Sequence, residues 1–140
     1  MKKILILCTG NSCRSQMADG WLTHMLSSKD FKIYSAGTHP EKVNPHAVSV
    51  MQDFNIDISK NTSNDVNEYK DIEFDYVITV CDNAQELCPV FPNSNVIHKS
   101  FPDPAKSKGT DDELYKVYKD VALDLRQYLS TLFKKYLWKK

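Results

Sequence analysis

The 140-residue sequence has no excess of charge, no long apolar run and no low-complexity segment. Its 18 Lys and Arg residues balance 18 Asp and Glu residues, so the formal net charge is zero. A neutral chain has no general attraction for nucleic acid or for an anionic lipid surface. No stretch approaches the roughly 18 apolar residues that a membrane-spanning helix requires. We therefore expect neither nucleic-acid nor membrane partners.

An export signal is also missing. Lys2 and Lys3 precede an apolar run at residues 4–7, which is far shorter than the roughly seven to fifteen apolar residues of a signal peptide. No small-residue cleavage site follows that run. We therefore expect a cytoplasmic protein. The length suits one domain with its own core, so we expect residues 1–140 to form a single domain that acts as a monomer.

Four cysteines are the feature that composition leaves unexplained. They are Cys8, Cys13, Cys81 and Cys88. Stable disulfides are rare in the cytoplasm, where clustered cysteines more often bind metal or take part in catalysis. The spacing within each pair fits the short cysteine hooks of zinc sites poorly, and no His lies near either pair in the sequence. The sequence therefore favours nucleophilic or redox chemistry and predicts no metal site.

Apolar patterning predicts strands that alternate with helices. Strands are predicted at residues 3–7, 31–36, 76–80 and 96–98. Helices are predicted over residues 17–26 and 45–54 and from about residue 111 onward. This alternation predicts an α/β fold of three layers, in which helices flank a four-stranded parallel sheet.

The segment between the first strand and the first helix carries the most specific signal. It reads C-T-G-N-S-C-R-S over residues 8–15. Open α/β sheets bind ligands at this position, where backbone N–H groups of a loop and a helix N-terminus can point at an anion. Arg14 can bind two oxygens of a tetrahedral oxyanion at once. Because these groups would also stabilise a thiolate, we expect the pKa of Cys8 to lie well below that of a free thiol.

The motif C-x5-R followed by Ser resembles the phosphate-binding loop of cysteine-based phosphatases. Placed directly after the first strand, it resembles the low-molecular-weight protein tyrosine phosphatase fold, which is flavodoxin-like in topology. Within that fold the chain resembles the thioredoxin-coupled arsenate reductases. Cys81 and Cys88 after the third strand, the segment at Asp103, and Y-S-A-G at 34–37 carry this narrower resemblance. Phosphatases usually have an aromatic residue after the Asp-Pro pair, where Ala105 stands here.

The resemblance implies a thiol cascade that reduces arsenate to arsenite. Cys8 would attack arsenate held by the loop and Arg14, while Asp103 protonates the departing oxygen. Cys81 would form a disulfide with Cys8, and Cys88 would then convert it into a Cys81–Cys88 disulfide that thioredoxin reduces. The implied substrate-binding residues are Thr9, Gly10, Asn11, Ser12, Cys13, Arg14 and Ser15.

Two of these loop residues have further expected roles. Ser15 would donate a hydrogen bond to the Cys8 thiolate. Cys13 is expected to have no catalytic role.

No tightly bound cofactor is expected. Relatives in the family bind a potassium ion near the loop, through residues matching Asn11, Ser35, Thr62 and a carboxylate two positions after that threonine. Asn64 stands at the carboxylate position here, which removes one negative charge, although Asp65 is adjacent. The sequence therefore weakens the case for potassium.

Two other functions stay open at this point. One is a low-molecular-weight protein tyrosine phosphatase, or a small-molecule phosphatase, whose extra cysteines are regulatory. A reductase would itself keep weak phosphatase activity, because the same loop holds phosphate. The other is a sensor of arsenite or metal with the cysteines as ligands. The reductant is open as well, since glutaredoxin or a small thiol makes similar demands on an exposed disulfide.

Overall fold

A computed structural model describes residues 1–81, 91 and 94–137. In this part of the chain four parallel strands form one sheet. They are β1 (Lys2–Cys8), β2 (Phe31–Gly37), β3 (Tyr76–Thr79) and β4 (Asn95–His98). Their order across the sheet is β2-β1-β3-β4, with every neighbouring pair parallel. This is the order of a flavodoxin-like doubly wound sheet, whose ligand site is expected between β1 and β3.

Four α-helices and two short 3-10 helices accompany the sheet in the described ranges. The α-helices are α1 (Arg14–Met25), α2 (Pro45–Asp53), α3 (Asp111–Leu132) and α4 (Lys134–Leu137). The 3-10 helices are Val66–Tyr69 and Pro104–Lys106. No helix among the described residues is both long enough and apolar enough to cross a membrane.

Helix boundaries follow local capping chemistry. At the start of α2 the Asn44 side chain accepts a hydrogen bond from the His46 N–H, and Pro45 occupies the first turn, where a missing N–H costs nothing. Thr110 and Glu113 form a reciprocal capping box at the start of α3. These signals explain why both predicted helix starts are confirmed.

Side chains on both faces of the sheet enclose the core. Ser35 of β2 contacts Asp19 of α1, so Tyr34 lies on the opposite face. There Tyr34 packs edge-on against Tyr69 and Phe74. The sheet therefore has packed layers on both sides, and the predicted α/β three-layer fold is confirmed.

The central strand fixes the geometry of the site. Residues 4–7 of β1 are fully buried between β2 and β3. The register pairs Cys8 with Gly37 and Leu7 with Thr79, so β1, β2 and β3 end at the same edge of the sheet. Whatever follows these strands is thereby brought together.

Candidate active site

The loop from Cys8 to Ser15 is held in shape by the side chain of Asn11. Asn11 is fully buried and has a φ of +48°, a left-handed conformation that Asn tolerates better than most residues. Its Nδ2 donates to Ser15 Oγ at 2.7 Å, and its Oδ1 accepts from the Asn64 N–H at 2.9 Å. Asn11 thus ties the loop to the helix that follows it and to a distant segment.

The segment after β2 lies alongside this loop. Backbone N–H groups of Thr38, His39 and Glu41 donate to the carbonyls of Cys8, Thr9 and Gly10, at 3.2, 2.8 and 2.7 Å. The approach is close, because a methyl group on Gly37 would lie 2.4 Å from the Thr9 carbonyl oxygen. Only glycine fits at that position.

Cys8 Sγ lies at the base of the loop. It is 2.9 Å from Ser15 Oγ and accepts a hydrogen bond from the Asn11 N–H at 3.2 Å. Burial raises the pKa of the Cys8 thiol and outweighs the lowering by Ser15 and Arg14. The predicted low pKa of Cys8 is therefore wrong for this structure. The predicted donors are present, but Cys8 is only 2% exposed, and burial of the thiol is the larger effect.

Arg14 brings the loop and the Asp103 segment together. Its Nη1 donates to the Phe101 carbonyl at 3.0 Å, and its Nη2 lies 3.7 Å from Asp103 Oδ2. The other oxygen of Asp103 accepts from the Ala105 N–H at 3.0 Å. Arg14 and Asp103, which are far apart in sequence, are therefore adjacent, as a clamp and a proton donor for one substrate would have to be.

A cavity of about 80 Å³ opens over these groups. It is lined by Cys8, Thr9, Gly10, Ser12, Cys13, Arg14, Glu41, Asp103 and Ala105. Most of the predicted site residues therefore share one small cavity, with Asn11 and Ser15 buried beside the sulfur. Glu41 was not predicted. It follows a different strand, and only the pairing of β2 with β1 indicates that the two loops meet.

Cys81 lies directly after β3 and next to the loop. Its Sγ is 3.3 Å from Thr9 Oγ1, and the residue is buried. Cys8, Cys13 and Cys81 are free thiols. Cys88 lies outside the described residues, so the structure places two of the three predicted cascade cysteines.

Cys13 occupies the N-cap position of α1, without a side-chain capping bond, and contacts α3. Its Sγ lies 3.9 Å from the Tyr118 hydroxyl, and burial raises the pKa of Cys13 to about 11. Cys13 is therefore a neutral thiol at ordinary pH, which makes it a weak nucleophile and a weak metal ligand. Among the residues that the structure describes, no group of three or more His, Cys, Asp or Glu side chains could hold a metal ion.

The residues matched to a potassium site lie together beside the loop, where their polar groups bind one another. Asn64 Oδ1 accepts from the Thr62 hydroxyl, and the Asn64 N–H donates to Asn11. One oxygen of the adjacent Asp65 carboxylate accepts from the Asn67 N–H and caps the 3-10 helix Val66–Tyr69. At this position the amide of Asn64 therefore stands in place of the carboxylate that the family's potassium site has.

Asp19 is an acidic residue beside this cluster that was not predicted from the sequence. Asp19 accepts a hydrogen bond from the Thr23 hydroxyl at 3.0 Å, and burial raises its pKa. It lines a cavity with Ser35, Thr62 and Asn64. Its place on the buried side of α1, opposite β2, is the signal that could have identified it.

Comparison with known proteins gives a consistent result. The family model described as low molecular weight phosphotyrosine protein phosphatase matches residues 3–137. An arsenate reductase of Halalkalibacterium halodurans is 42% identical over 131 residues, covering 93% of this chain and 94% of the relative.

Solved structures agree with this match. An arsenate reductase in the phosphate-binding state superposes with a TM-score of 0.81 at 28% identity, covering 97% of this chain and 99% of that one. The low molecular weight protein tyrosine phosphatase from T. tengcongensis gives 0.79 at 25% identity, covering 96% and 99%.

Proposed function

The chain belongs to the low molecular weight phosphotyrosine protein phosphatase family, and from that premise we propose that it reduces arsenate to arsenite through a relay of cysteine thiols. The observation that carries the proposal is the position of Cys81, whose Sγ lies 3.3 Å from Thr9 Oγ1 beside the oxyanion loop. A phosphatase of this fold needs one cysteine nucleophile, whereas a reductase must supply two electrons. The likeness to an arsenate reductase over 93% of the chain supports the same choice.

The first step is attack of Cys8 on arsenic. Arsenate is held by the loop N–H groups and by Arg14, and the proton of the Cys8 thiol passes to an oxygen of the dianionic substrate. This transfer suits a buried thiol whose pKa is raised, because the arriving dianion is itself a base. The S–As bond forms and an As–O bond breaks, with Asp103 giving the departing oxygen the proton with which it leaves as water.

The second step transfers the electrons. Cys81 as thiolate attacks Cys8 Sγ, the S–S bond forms, and the S–As bond breaks with its electron pair remaining on arsenic. Two thiols are oxidised to a disulfide while As(V) is reduced to As(III), which leaves as arsenite. Thr9, in contact with Cys81, is suited to orient the attacking sulfur.

The third step regenerates Cys8. Cys88 attacks Cys81 Sγ and expels Cys8 as a thiolate, which leaves a Cys81–Cys88 disulfide. This step rests on the sequence alone, because Cys88 lies outside the described residues. A dithiol protein of the thioredoxin class then reduces the disulfide. We place this cycle in the cytoplasm, where such reductants operate, and propose that a monomer carries it out, which sedimentation would test.

Mapping of disulfides after one turnover tests the relay. Arsenate is added to the reduced protein without reductant, free thiols are blocked, and the disulfide is identified by peptide mass spectrometry. We expect a Cys81–Cys88 disulfide in the wild type, a Cys8–Cys81 disulfide in Cys88→Ser, and no arsenite from Cys81→Ser. Unchanged steady-state turnover of Cys88→Ser with thioredoxin, thioredoxin reductase and NADPH would contradict the third step.

Phosphatase activity is the second candidate, and the likeness to a tyrosine phosphatase of the same fold supports it. Ala105 lines the cavity where an aromatic platform for a phenyl ring would be needed, so we expect only weak hydrolysis of aryl phosphates. That hydrolysis should require Cys8 and Asp103 and should be indifferent to Cys81→Ser. Aryl phosphate turnover comparable to that of arsenate, unaffected by Cys81→Ser, would favour a phosphatase.

A further inference from the structure

Glu41 presents an acidic side chain to a cavity built for an anion. It lines the cavity that contains Cys8 and Arg14. Its Oε2 lies beside Gly10: a methyl group built on the Gly10 Cα would be 3.3 Å from that oxygen. Its backbone N–H donates to the Gly10 carbonyl at 2.7 Å. Since three such bonds join residues 38–41 to the loop, the backbone of Glu41 has a fixed position relative to the oxyanion site.

The Glu41 carboxylate has no ion-pair partner in the part of the chain that the structure describes. Asp103, by contrast, has Arg14 beside it. A free carboxylate at the mouth of the cavity repels any anion that enters. A site that only had to bind negative charge would be better without it, so the position of Glu41 calls for a substrate group that a carboxylate can bind.

An O–H group on the oxyanion meets this requirement. Arsenate and phosphate keep at least one proton at neutral pH and can donate a hydrogen bond to a carboxylate, whereas sulfate has none to donate. We propose that Glu41 is a specificity-determining residue that accepts a hydrogen bond from the protonated oxygen of the substrate. Its negative charge acts against oxyanions that lack such a proton, because an unpaired carboxylate then faces the anion.

The same contact bears on the ester side reaction. An aryl phosphate loses its last proton at a pKa of about 6, so at neutral pH it is mainly a dianion without an O–H. Glu41 then repels it, as it repels sulfate. For arsenate as the oxyanion, the inference rests on the proposed function, but discrimination between phosphate and sulfate can be measured without any turnover.

Protection of Cys8 from alkylation tests the inference. The protein is treated with iodoacetamide in the presence of inorganic phosphate or sulfate, and modification of Cys8 is followed by peptide mass spectrometry. We expect phosphate to protect the wild type at a concentration roughly tenfold or more below that needed for sulfate. In Glu41→Gln, which keeps the shape but offers an N–H, sulfate protection should improve by about tenfold and the preference should largely disappear.

Glu73→Gln is the matched control. Glu73 is an exposed acid just before β3, at the other edge of the sheet, and its replacement removes the same charge. It should behave as the wild type. An equal gain for phosphate and sulfate in Glu41→Gln would reduce the role of Glu41 to simple repulsion and overturn the proposal, as would a wild type that does not distinguish the two anions.

The two proposals can fail separately. A wild type that prefers phosphate to sulfate yet does not reduce arsenate would contradict the proposed function and leave the role of Glu41 standing. A Glu41→Gln variant that reduces arsenate and still prefers phosphate to sulfate as strongly as the wild type would contradict the role of Glu41 and leave the proposed function standing. Hydrolysis of an aryl phosphate gives a further readout, since Glu41→Gln should increase it severalfold through a lower KM.

Discussion

The two edges of the sheet show how differently polar groups are arranged where chemistry is proposed and where it is not. At the carboxyl edge a cavity of about 80 Å³ lies over a loop in which Asn11, Ser15 and Cys8 are buried and bonded to one another. At the amino edge a cavity of about 480 Å³ is lined by apolar side chains together with Lys2, Ser27, Lys29, Asp30 and Tyr136. The larger cavity contains no predicted catalytic residue, so convergent donors identify the site and volume does not.

Titratable groups differ between the edges in the same way. At the amino edge the Tyr76 hydroxyl and the nearby Lys2 ammonium lower the pKa of Tyr136 to about 8. At the carboxyl edge burial raises the pKa of Cys8. Perturbed ionisation occurs at both edges, but only at the carboxyl edge does it belong to a nucleophile beside an anion site. Four substitutions test whether activity depends on the carboxyl edge alone.

Removal of the nucleophile should have the largest effect. Cys8→Ser replaces the sulfur that is proposed to bond to arsenic, so arsenite production should fall by at least about a thousandfold. The measurement is steady-state reduction of arsenate with an excess of reductant. If Cys8→Ser kept a tenth of the wild-type activity, Cys8 would not be the nucleophile and the proposed site at the carboxyl edge would be wrong.

Replacement of Arg14 should have the next largest effect. Arg14→Lys keeps the charge but cannot bind two oxygens at once, so we expect kcat/KM for arsenate to fall by about 100-fold. Arg126→Lys is the matched control, since Arg126 stacks over Trp21 and Phe54 away from the site. Equal losses in the two variants would point to stability as the cause.

Ser15→Ala should act through ionisation. Because Ser15 lowers the pKa of Cys8, its loss should raise that pKa further above the ordinary value. Less thiolate is then present at any pH below the pKa, so alkylation of Cys8 should slow severalfold at neutral pH and recover at high pH. The pH dependence of iodoacetamide modification measures this, and a profile displaced to lower pH would contradict it.

The smallest effect is expected at the amino edge. Tyr136→Phe should remove an early tyrosine ionisation near pH 8 from the absorbance titration, while kcat/KM for arsenate changes by less than about twofold. A large loss of activity without a loss of thermal stability would show that the two edges communicate.

Features that depend on short stretches of sequence were predictable. The fully buried residues 4–7 and the Pro45 helix start each carry their signal within a few positions, and the C-x5-R loop does the same. Cys81 was also placed correctly, because strands of a parallel sheet end at one edge and β3 lies beside β1.

Features that depend on contacts between distant parts of the chain could not be predicted from the sequence. The pKa of Cys8 is governed by how deeply the loop is buried, which the sequence does not encode locally. Glu41 reaches the site only because residues 38–41 bond to residues 8–10. The capping role of Asp65 depends on a 3-10 helix that was not predicted.

The backbone bonds between the loop and the segment after β2 determine which part of the site can move. Residues 8–10 accept three hydrogen bonds from residues 38–41 and rest on Gly37 without room for a methyl group. Arsenate therefore meets a receptor that is already assembled, and its binding should cost little ordering entropy. Formation of the first disulfide is different, since two sulfur atoms must come into bonding distance while one of them is anchored. In the proposed relay Cys81 moves toward the anchored Cys8, so we expect the rate of electron transfer to follow the mobility of the chain at the end of β3 and not that of the oxyanion loop.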